Sequence, residues 1–313
     1  MEHRQEDSLS SILGPIPKNP FKKAKWILIS WLLQHPNLWT NPLSILSIFR
    51  AVTGKFRVLP DFIIIGAAKS GTTSLYDYLI QHPYIYSALW KEIYFFDRYY
   101  GRGISWYKAN FPSKIYKFFI TRIQKKPFLT GEATPTYIHH PLTPKRISEF
   151  LPDIKLIILL RNPVDRAYSH YQMEKKLGFE NHSFEEAIEL ENFRLKGENE
   201  KIIKNMNYYS YKRQIYSYLT SGIYIDQLKL WMEYFPKKQF LIINSEDFEN
   251  NPNKVFEDVE SFLNIDHFKI KFSKKNVGKY NPINPETRKK LSDFFIPHNE
   301  RLYSFLNQNY GWK

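Results

Sequence analysis

Continuous apolar runs and amphipathic stretches alternate along this chain from about residue 60 onward. The apolar runs predict buried strands at 61–65, 155–160 and 239–243. Helical periodicity predicts helices at 71–82, 163–177, 184–195, 211–234, 252–264 and 285–309. Strands that are separated by helices favour a parallel sheet, so the pattern predicts an α/β fold.

The first 58 residues differ in pattern from the rest, which divides the chain into an N-terminal extension, 1–58, and a domain, 59–313. Lys22-Lys23-Ala24-Lys25 precedes an apolar run at 26–33. This run is too short to cross a bilayer, which takes about 20 residues. Basic residues beside Trp-rich apolar helices are typical of a membrane-surface segment. A helical pair packed on the domain is the equal alternative.

The first apolar run leads into a loop with glycine at both ends, Gly66-Ala67-Ala68-Lys69-Ser70-Gly71-Thr72-Thr73-Ser74. Free N–H groups and the helix dipole at such a loop can bind a phosphate. The Walker A pattern is G-x-x-x-x-G-K-S/T, and Thr72 stands where its lysine belongs. With the lysine moved to Lys69, the loop suits an anion without a γ-phosphate. A plain strand-to-helix turn is the alternative.

A second apolar strand ends in Arg161-Asn162-Pro163. Asn162 is a favourable N-cap, and Pro163 is a favourable first helical residue. Arg161 then lies at the carboxyl end of a strand, where open α/β sheets bind their ligands. Ser169 lies about two helical turns further on and can face the same pocket. A surface position for Arg161 is the alternative.

These two segments resemble the nucleotide signatures of the sulfotransferase superfamily, which are the 5′-phosphosulfate loop and the 3′-phosphate site for 3′-phosphoadenosine 5′-phosphosulfate (PAPS). Residues 91–97, Lys-Glu-Ile-Tyr-Phe-Phe-Asp, resemble the Lys-Glu-x-His-Phe-Phe segment of the heparan sulfate sulfotransferases and their bacterial relatives. The segments at 131–137, 222–224, 278–280 and 310–312 fit the same group in the same order. The resemblance extends from about Leu59 to Lys313.

The resemblance implies a P-loop-like parallel sheet flanked by helices, the sulfotransferase fold, and sulfuryl transfer from PAPS to a hydroxyl or amine of a carbohydrate. It implies Glu92 as the general base, Lys69 at the leaving phosphate, and Arg161 and Ser169 at the 3′-phosphate. The other residues expected to contact the nucleotide are Ser70, Gly71, Thr72, Thr73, Ser74, Gly278, Lys279 and Tyr280. For Glu92, a salt-bridged surface carboxylate beside Lys91 is the alternative.

One departure from the family concerns the acceptor. The animal 3-O-sulfotransferases have a lysine in their Glu-Lys-Thr-Pro segment, and Ala133 stands at that place here. Either another cation such as Lys91 replaces it or the acceptor differs, so heparan sulfate itself is not predicted as the acceptor, and a sugar hydroxyl is the favoured group. Residues 196–208 are polar without periodicity and are predicted to form a mobile loop at the acceptor cleft. His170 and Glu132 are the reserve candidates for the base.

Composition adds a net charge of +14, which suits a polyanionic donor and an anionic acceptor. A low-GC genome would give the same abundance of Lys, Asn, Ile, Tyr and Phe. The charges are dispersed and no nucleic-acid-binding motif is present, so no nucleic-acid partner is predicted. The chain has no cysteine, which excludes disulfides and thiolate metal sites, and no His, Asp or Glu spacing indicates a metal. We expect a cytoplasmic protein, and for the extension both membrane contact and packing on the domain remain open.

Two other functions remain open at this stage. A P-loop kinase or NTPase is disfavoured by Thr72, and by the strand that ends at Arg161 rather than at a Walker B acid. A non-catalytic protein that binds anionic glycans or a membrane surface rests on the charge and the N-terminal apolar run. Nucleotide binding separates the three functions. A sulfotransferase should bind PAPS or its product PAP, a kinase or NTPase should bind ATP with Mg²⁺, and a non-catalytic protein should bind neither.

Overall fold

The structure is a computed structural model that describes residues 50–272 and 280–312. Most of the predicted N-terminal extension, residues 1–49, therefore lies outside the described residues, as do Gly278 and Lys279. The described chain contains a parallel sheet of five strands in the order β2-β3-β1-β4-β5. The strands are β1 (Phe62–Gly66), β2 (Ile85–Ser87), β3 (Leu129–Ala133), β4 (Lys155–Leu160) and β5 (Phe240–Asn244).

The strands β1, β4 and β5 are confirmed to within one residue, whereas β2 and β3 were not predicted. β3 contains Gly131 and Glu132, which are both uncommon in strands. Gly131 pairs with Phe62 of β1, and a Cβ atom at this glycine would lie 2.5 Å from the Phe62 ring. The close approach of Phe62 therefore requires glycine at position 131, and glycine is a residue that argues against a strand when only the sequence is considered.

Helices account for most of the remaining chain. They are α1 (Thr72–Leu79), α2 (Ile104–Lys108), α3 (Lys114–Phe118), α4 (Thr143–Phe150), α5 (Pro163–Leu177), α6 (Phe184–Leu195), α7 (Glu198–Lys204), α8 (Tyr211–Tyr216), α9 (Tyr224–Met232), α10 (Ser245–Asn250), α11 (Pro252–Leu263) and α12 (Pro285–Leu306). The bounds of α5 and α6 match the prediction because both begin at strong caps. Asn162 accepts from the Val164 N–H at 3.0 Å, and Ser183 forms a capping box with Glu186.

Two predictions about the middle of the chain are wrong. The helix expected at 211–234 is divided into α8 and α9 by a 3₁₀ turn, Thr220–Gly222. At Gly222 the chain lies so close to α5 and α12 that a Cβ atom would come within 3.0 Å of Pro163 and Phe295. The loop expected at 196–208 contains α7, whose buried Glu198 accepts hydrogen bonds from polar neighbours within the segment. Hydrogen bonds between its polar residues stabilise this helix, and such pairs leave no apolar periodicity in the sequence.

Both faces of the sheet are covered by helices. Alternate residues of the central strands point to opposite sides: Ile63, Ile65, Leu156 and Ile158 pack on one side, and Phe62, Ile64, Ile157 and Leu159 on the other. The first side packs against α9 and α12, and the second against α1 and α11. The predicted α/β fold is therefore confirmed. In the described part of the chain, no helix combines the length and the apolar content needed to cross a bilayer.

Candidate active site

A cleft of about 980 Å³ opens where β1 and β4 end, and the loops that follow both strands line it. Parallel sheets commonly bind ligands at this edge. Nine of the residues expected at the site line this cleft: Lys69, Gly71, Thr72, Thr73, Ser74, Glu92, Arg161, Ser169 and Tyr280. The sheet therefore brings the two predicted phosphate segments to one place.

The loop after β1 presents backbone N–H groups at the start of α1. Gly71 is the N-cap and has a φ of 91°, a conformation that glycine adopts without steric cost. The helix makes its bond from Leu75 N to the Gly71 carbonyl at 3.1 Å. The N–H groups of residues 72–74 therefore have no acceptor within the helix, as at every helix start.

Ser70 occupies a different place from the one expected. Its side chain is fully buried and does not line the cleft, and its N–H donates to the Ala67 carbonyl at 3.2 Å. Its own carbonyl accepts from Ser245 Oγ at 3.0 Å. Ser70 thus stabilises the loop on its buried side, whereas the residues that follow it face the cleft.

The cleft contains several cations close together. Arg161 Nη1 donates to the Lys69 carbonyl at 3.1 Å, and the buried Arg166 also lines the cleft. The pKa of Lys69 is lowered first by burial and then by the charge of Arg161. Glu174 acts in the opposite direction without cancelling these effects. A bound anion would favour the charged lysine, so the arrangement suits an anionic ligand.

The end of β4 is braced by residues from distant parts of the sequence. The Tyr224 hydroxyl donates to the Arg161 carbonyl at 2.9 Å. Glu246 accepts from the Asn162 N–H at 2.9 Å and from Trp312 Nε1 at 3.3 Å. The segments around Tyr224 and Trp312, which were expected to fit the family, therefore hold the strand end that carries Arg161.

The Glu92 carboxylate lines the cleft with a side chain that is 28% exposed. Its Oε1 lies 2.9 Å from Lys91 Nζ, and its Oε2 accepts a hydrogen bond from the Tyr94 hydroxyl. Lys91 Nζ also donates to Thr73 Oγ1 at 2.5 Å. The salt bridge of the alternative interpretation is present, but it belongs to a carboxylate that faces the cleft beside the phosphate loop.

A buried carboxylate holds the segment that carries Glu92. Glu132 accepts from the Tyr107 hydroxyl at 2.7 Å and from Thr134 Oγ1 at 2.6 Å. Thr134 Oγ1 in turn accepts from the Ile93 N–H at 3.2 Å. Burial raises the pKa of Glu132 to about 7, against the hydrogen bonds from Thr134 and Tyr107. Glu132 is fully buried and does not line the cleft, so it cannot contact an acceptor there.

The other reserve candidate, His170, does line the cleft. Its Nε2 lies 3.0 Å from the Gln214 carbonyl oxygen and 3.4 Å from Glu174 Oε1. Burial lowers its pKa, which keeps the imidazole neutral near pH 7. It remains an alternative base by position.

Comparison with known proteins identifies the family. The model of the sulfotransferase domain matches residues 59–292, about three quarters of the chain. The chain belongs to the sulfotransferase family. It is 31% identical to a membrane-associated sulfotransferase of Dictyostelium discoideum over 84% of this chain and 68% of the relative. It is 28% identical to heparan sulfate glucosamine 3-O-sulfotransferase 6 of Homo sapiens, over 82% and 74%.

A solved sulfotransferase from Alicyclobacillus acidocaldarius has the same fold, with a TM-score of 0.60 and 30% identity over 80% of this chain and 97% of that one. The protein is therefore a sulfotransferase enzyme that transfers sulfuryl groups. This assignment sets aside the P-loop kinase and the non-catalytic interpretations.

One wall of the sulfotransferase cleft was not predicted. Arg98 lines it and donates to the Tyr211 hydroxyl at 2.8 Å. Its guanidinium also lies 5.1 Å from the ring centres of Tyr99 and Tyr209. Aromatic and basic residues are abundant at 98–102 and 208–213, but these segments meet only in the fold. The wall lies in the same cleft as Glu92 and can contact a ring-shaped or anionic acceptor.

Proposed function

We propose that this sulfotransferase moves a sulfuryl group from PAPS to a hydroxyl or amine of a carbohydrate, with Glu92 as general base. The observation that carries the proposal is the position of Glu92 in one cleft with the phosphate loop and Arg161. A donor phosphosulfate bound at the loop would then lie beside a carboxylate able to accept the acceptor's proton.

The cleft residues fit the charge of PAPS. The N–H groups at the start of α1 and the Lys69 ammonium would bind the 5′-phosphosulfate. Arg161, as a charged fork, and Ser169, as a neutral donor, would bind the 3′-phosphate. Tyr280 lines the same cleft and would close over the nucleotide. Burial and then the charge of Arg161 lower the pKa of Lys69, and a bound anion would counter both effects, which supports an anionic ligand.

The reaction is an in-line displacement at sulfur. The acceptor oxygen forms a bond to sulfur, while the bond from sulfur to the 5′-phosphate oxygen breaks and leaves its electron pair on PAP. The proton of the acceptor hydroxyl passes to the Glu92 carboxylate. Lys69 stabilises the charge that develops on the leaving phosphate, so positioning and electrostatics supply most of the rate enhancement.

Lys91 is the cation that replaces the family's lysine at Ala133. The Ala133 N–H donates to the Lys91 carbonyl at 3.0 Å, so the two positions are neighbours in space. Lys91 Nζ reaches both Glu92 and Thr73, which joins the base to the phosphate loop. These contacts support Lys91 as the residue that supplies the positive charge absent at Ala133.

The relatives and the cleft wall both support the proposed acceptor class. Heparan sulfate, named in the human relative, is an anionic glycan, and Arg98 with its tyrosines offers a cationic and aromatic surface. A carbohydrate acceptor is consistent with both. The cytoplasmic location remains a prediction.

The test combines binding with turnover. PAP should raise the melting temperature of the protein, because a ligand that binds only the folded state stabilises it. Labelled PAPS should then transfer label to at least one glycan in a panel of glycans and simple phenols, and to no member of the panel without enzyme. Greater stabilisation by ATP with Mg²⁺ than by PAP would contradict the donor, and label transfer to phenols alone would contradict the acceptor class.

A further inference from the structure

A row of apolar side chains faces solvent on one side of α3 and of the π-helical segment that continues it, Phe119–Ile123. Ile115, Phe118, Phe119 and Ile123 are between 46% and 77% exposed. We name these four residues the apolar stripe. Contiguous exposed apolar residues of this size are uncommon on soluble proteins and mark interaction sites.

The stripe is the outer face of a helix that is anchored on its other side. Ile120 is buried, and the Tyr116 ring packs against Tyr86 at 5.5 Å and against Phe128 at 6.2 Å. Stripe positions recur at three-, four- and eight-residue spacings, so they share one helical face. The protein therefore has apolar side chains on both the inner and the outer face of this short segment.

Cations flank the stripe. Lys114, Arg122, Lys125 and Lys126 are exposed, and residues 114–126 include no Asp or Glu. Lys117 turns inward instead, with Nζ 3.8 Å from Asp61. Apolar residues that protrude between cations match the boundary of an anionic bilayer, where apolar side chains enter the acyl region and lysines reach the phosphates.

We propose that the apolar stripe inserts into the surface of a membrane that contains anionic lipids. Charge complementarity favours a lipid surface, because basic residues lie at both ends of the stripe and no acid interrupts them. The stripe also lies on the exposed face of a helical segment, and a soft bilayer can take up such a face without a matching groove.

The proposed surface is separate from the chemistry. No residue of 114–126 lines the cleft that contains Glu92. Changes in the stripe should therefore leave turnover of a soluble acceptor unchanged while they alter membrane binding. The surface would hold the enzyme at a bilayer, close to acceptors that are bound there.

The first experiment measures co-sedimentation of the full chain with phosphatidylcholine vesicles, with and without phosphatidylserine. The wild type should bind only the vesicles with phosphatidylserine, and less at high salt. Phe118→Ser with Phe119→Ser should weaken binding by about tenfold or more. Phe193→Ser is the matched control, since Phe193 is 79% exposed on α6, and it should bind as the wild type.

A second pair of variants tests the charges. Lys125→Glu with Lys126→Glu should weaken binding by about tenfold or more, because each cation near the surface contributes to anionic-lipid affinity. Lys237→Glu with Lys238→Glu makes the same charge change at an exposed 3₁₀ turn away from the stripe and should have little effect. Equal losses in the two pairs would mean that only net charge matters, which would overturn the proposal.

A site-specific label supplies a readout independent of affinity. The chain contains no cysteine, so Phe118→Cys can be labelled at one position with a polarity-sensitive fluorophore. Its emission should shift to the blue on addition of vesicles with phosphatidylserine, and a label at Phe193→Cys should not respond.

Three further results would overturn the proposal. One is full binding by the Phe118 and Phe119 variant, which would assign membrane contact to residues 1–49, since these carry their own basic and apolar residues. Another is a label that does not respond to vesicles. The third is a wild-type protein that ignores vesicles but forms a dimer that the stripe variant loses, which would make the stripe an interface between copies of this chain.

Discussion

The Tyr94 hydroxyl donates a hydrogen bond to Oε2 of Glu92, from a backbone with a φ of 53°. A positive φ is uncommon for a residue with a side chain and costs of order 1–3 kcal/mol. Tyr94 stands where the related segments have histidine, and it lines the cleft. Strained residues cluster at functional sites, so this tyrosine is best explained as a positioning residue for the carboxylate.

Tyr94→Phe should slow the reaction without weakening PAP binding. Without its donor, the Glu92 carboxylate would lose the hydrogen bond that fixes its orientation in the cleft, so kcat should fall while the affinity for PAP stays the same. We expect kcat to fall by about tenfold, the size of a lost hydrogen bond to a charged group. Tyr234→Phe, at an exposed position outside the cleft, is the control, and a loss of PAP affinity in parallel with kcat would show that Tyr94 is only structural.

Glu92→Gln tests the base itself. The change keeps the shape and removes the basic carboxylate, so kcat should fall by roughly 10²–10⁴. PAP affinity, measured by thermal shift, should remain close to that of the wild type. Glu189→Gln, at an exposed position on α6, should retain full activity. A variant that retains more than about a tenth of the wild-type kcat would have lost less than a general base usually contributes. The base would then be another residue, such as His170.

The local part of this site could be predicted from sequence, and the long-range part could not. The phosphate loop and Arg161 each follow an apolar strand, so their position at the sheet edge follows from the strand pattern. The contact between Arg98 and Tyr211 joins residues 113 positions apart, which no periodicity encodes. β3 was missed for a similar reason, since Gly131 is explained only by the Phe62 ring on the next strand.

Lys69 should make PAP binding depend on pH. Burial and Arg161 lower the pKa of Lys69 in the free protein, and PAP favours the charged lysine. Affinity should therefore fall as the pH rises through that lowered pKa. Lys69→Arg keeps its charge at every accessible pH, so this decline should disappear. Isothermal titration calorimetry at a series of pH values measures the PAP affinity. An identical decline in the wild type and in Lys69→Arg would contradict the assignment of Lys69 to the phosphate site.

Lys69→Ala and Arg161→Ala should each reduce the stabilisation by PAP. Each change removes a cation from the cleft, while the other phosphate contacts remain. Lys176→Ala removes the same charge at the exposed end of α5, and it should retain the full shift in melting temperature. An equal loss in this control would reveal an effect of net charge rather than of the site.

Ser169→Ala should act mainly on the donor. Ser169 lines the cleft on α5, and the change removes one hydrogen bond, of order 1–3 kcal/mol when the partner is charged. The KM for PAPS should rise while kcat stays nearly constant. Ser148→Ala, outside the cleft, should change neither value. A lower kcat with unchanged donor affinity would argue against a 3′-phosphate contact.

Glu132 should make the free energy of unfolding depend on pH. Burial raises its pKa to about 7 from an ordinary 4.5, so the folded protein holds a proton that the unfolded chain releases in this range. Its contribution to stability is complete below pH 4.5 and declines as the pH rises to about 7. The slope is at most about 1.4 kcal/mol per pH unit. Asp97, whose pKa is raised to about 6 by burial, couples to Glu132 and acts in the same direction.

Glu132→Gln isolates this contribution because the amide resembles the protonated acid and does not titrate. The buried His139 and His140, whose pKa values are lowered by burial, act in the opposite direction, but they are common to both proteins. The stability of the wild type relative to the variant should therefore decline between pH 4.5 and about 7, as measured by urea unfolding. A difference that stays constant with pH would mean that Glu132 is ionised in the folded protein. The charged carboxylate would then hold the Glu92 segment through the hydrogen bond that it accepts from Thr134 Oγ1.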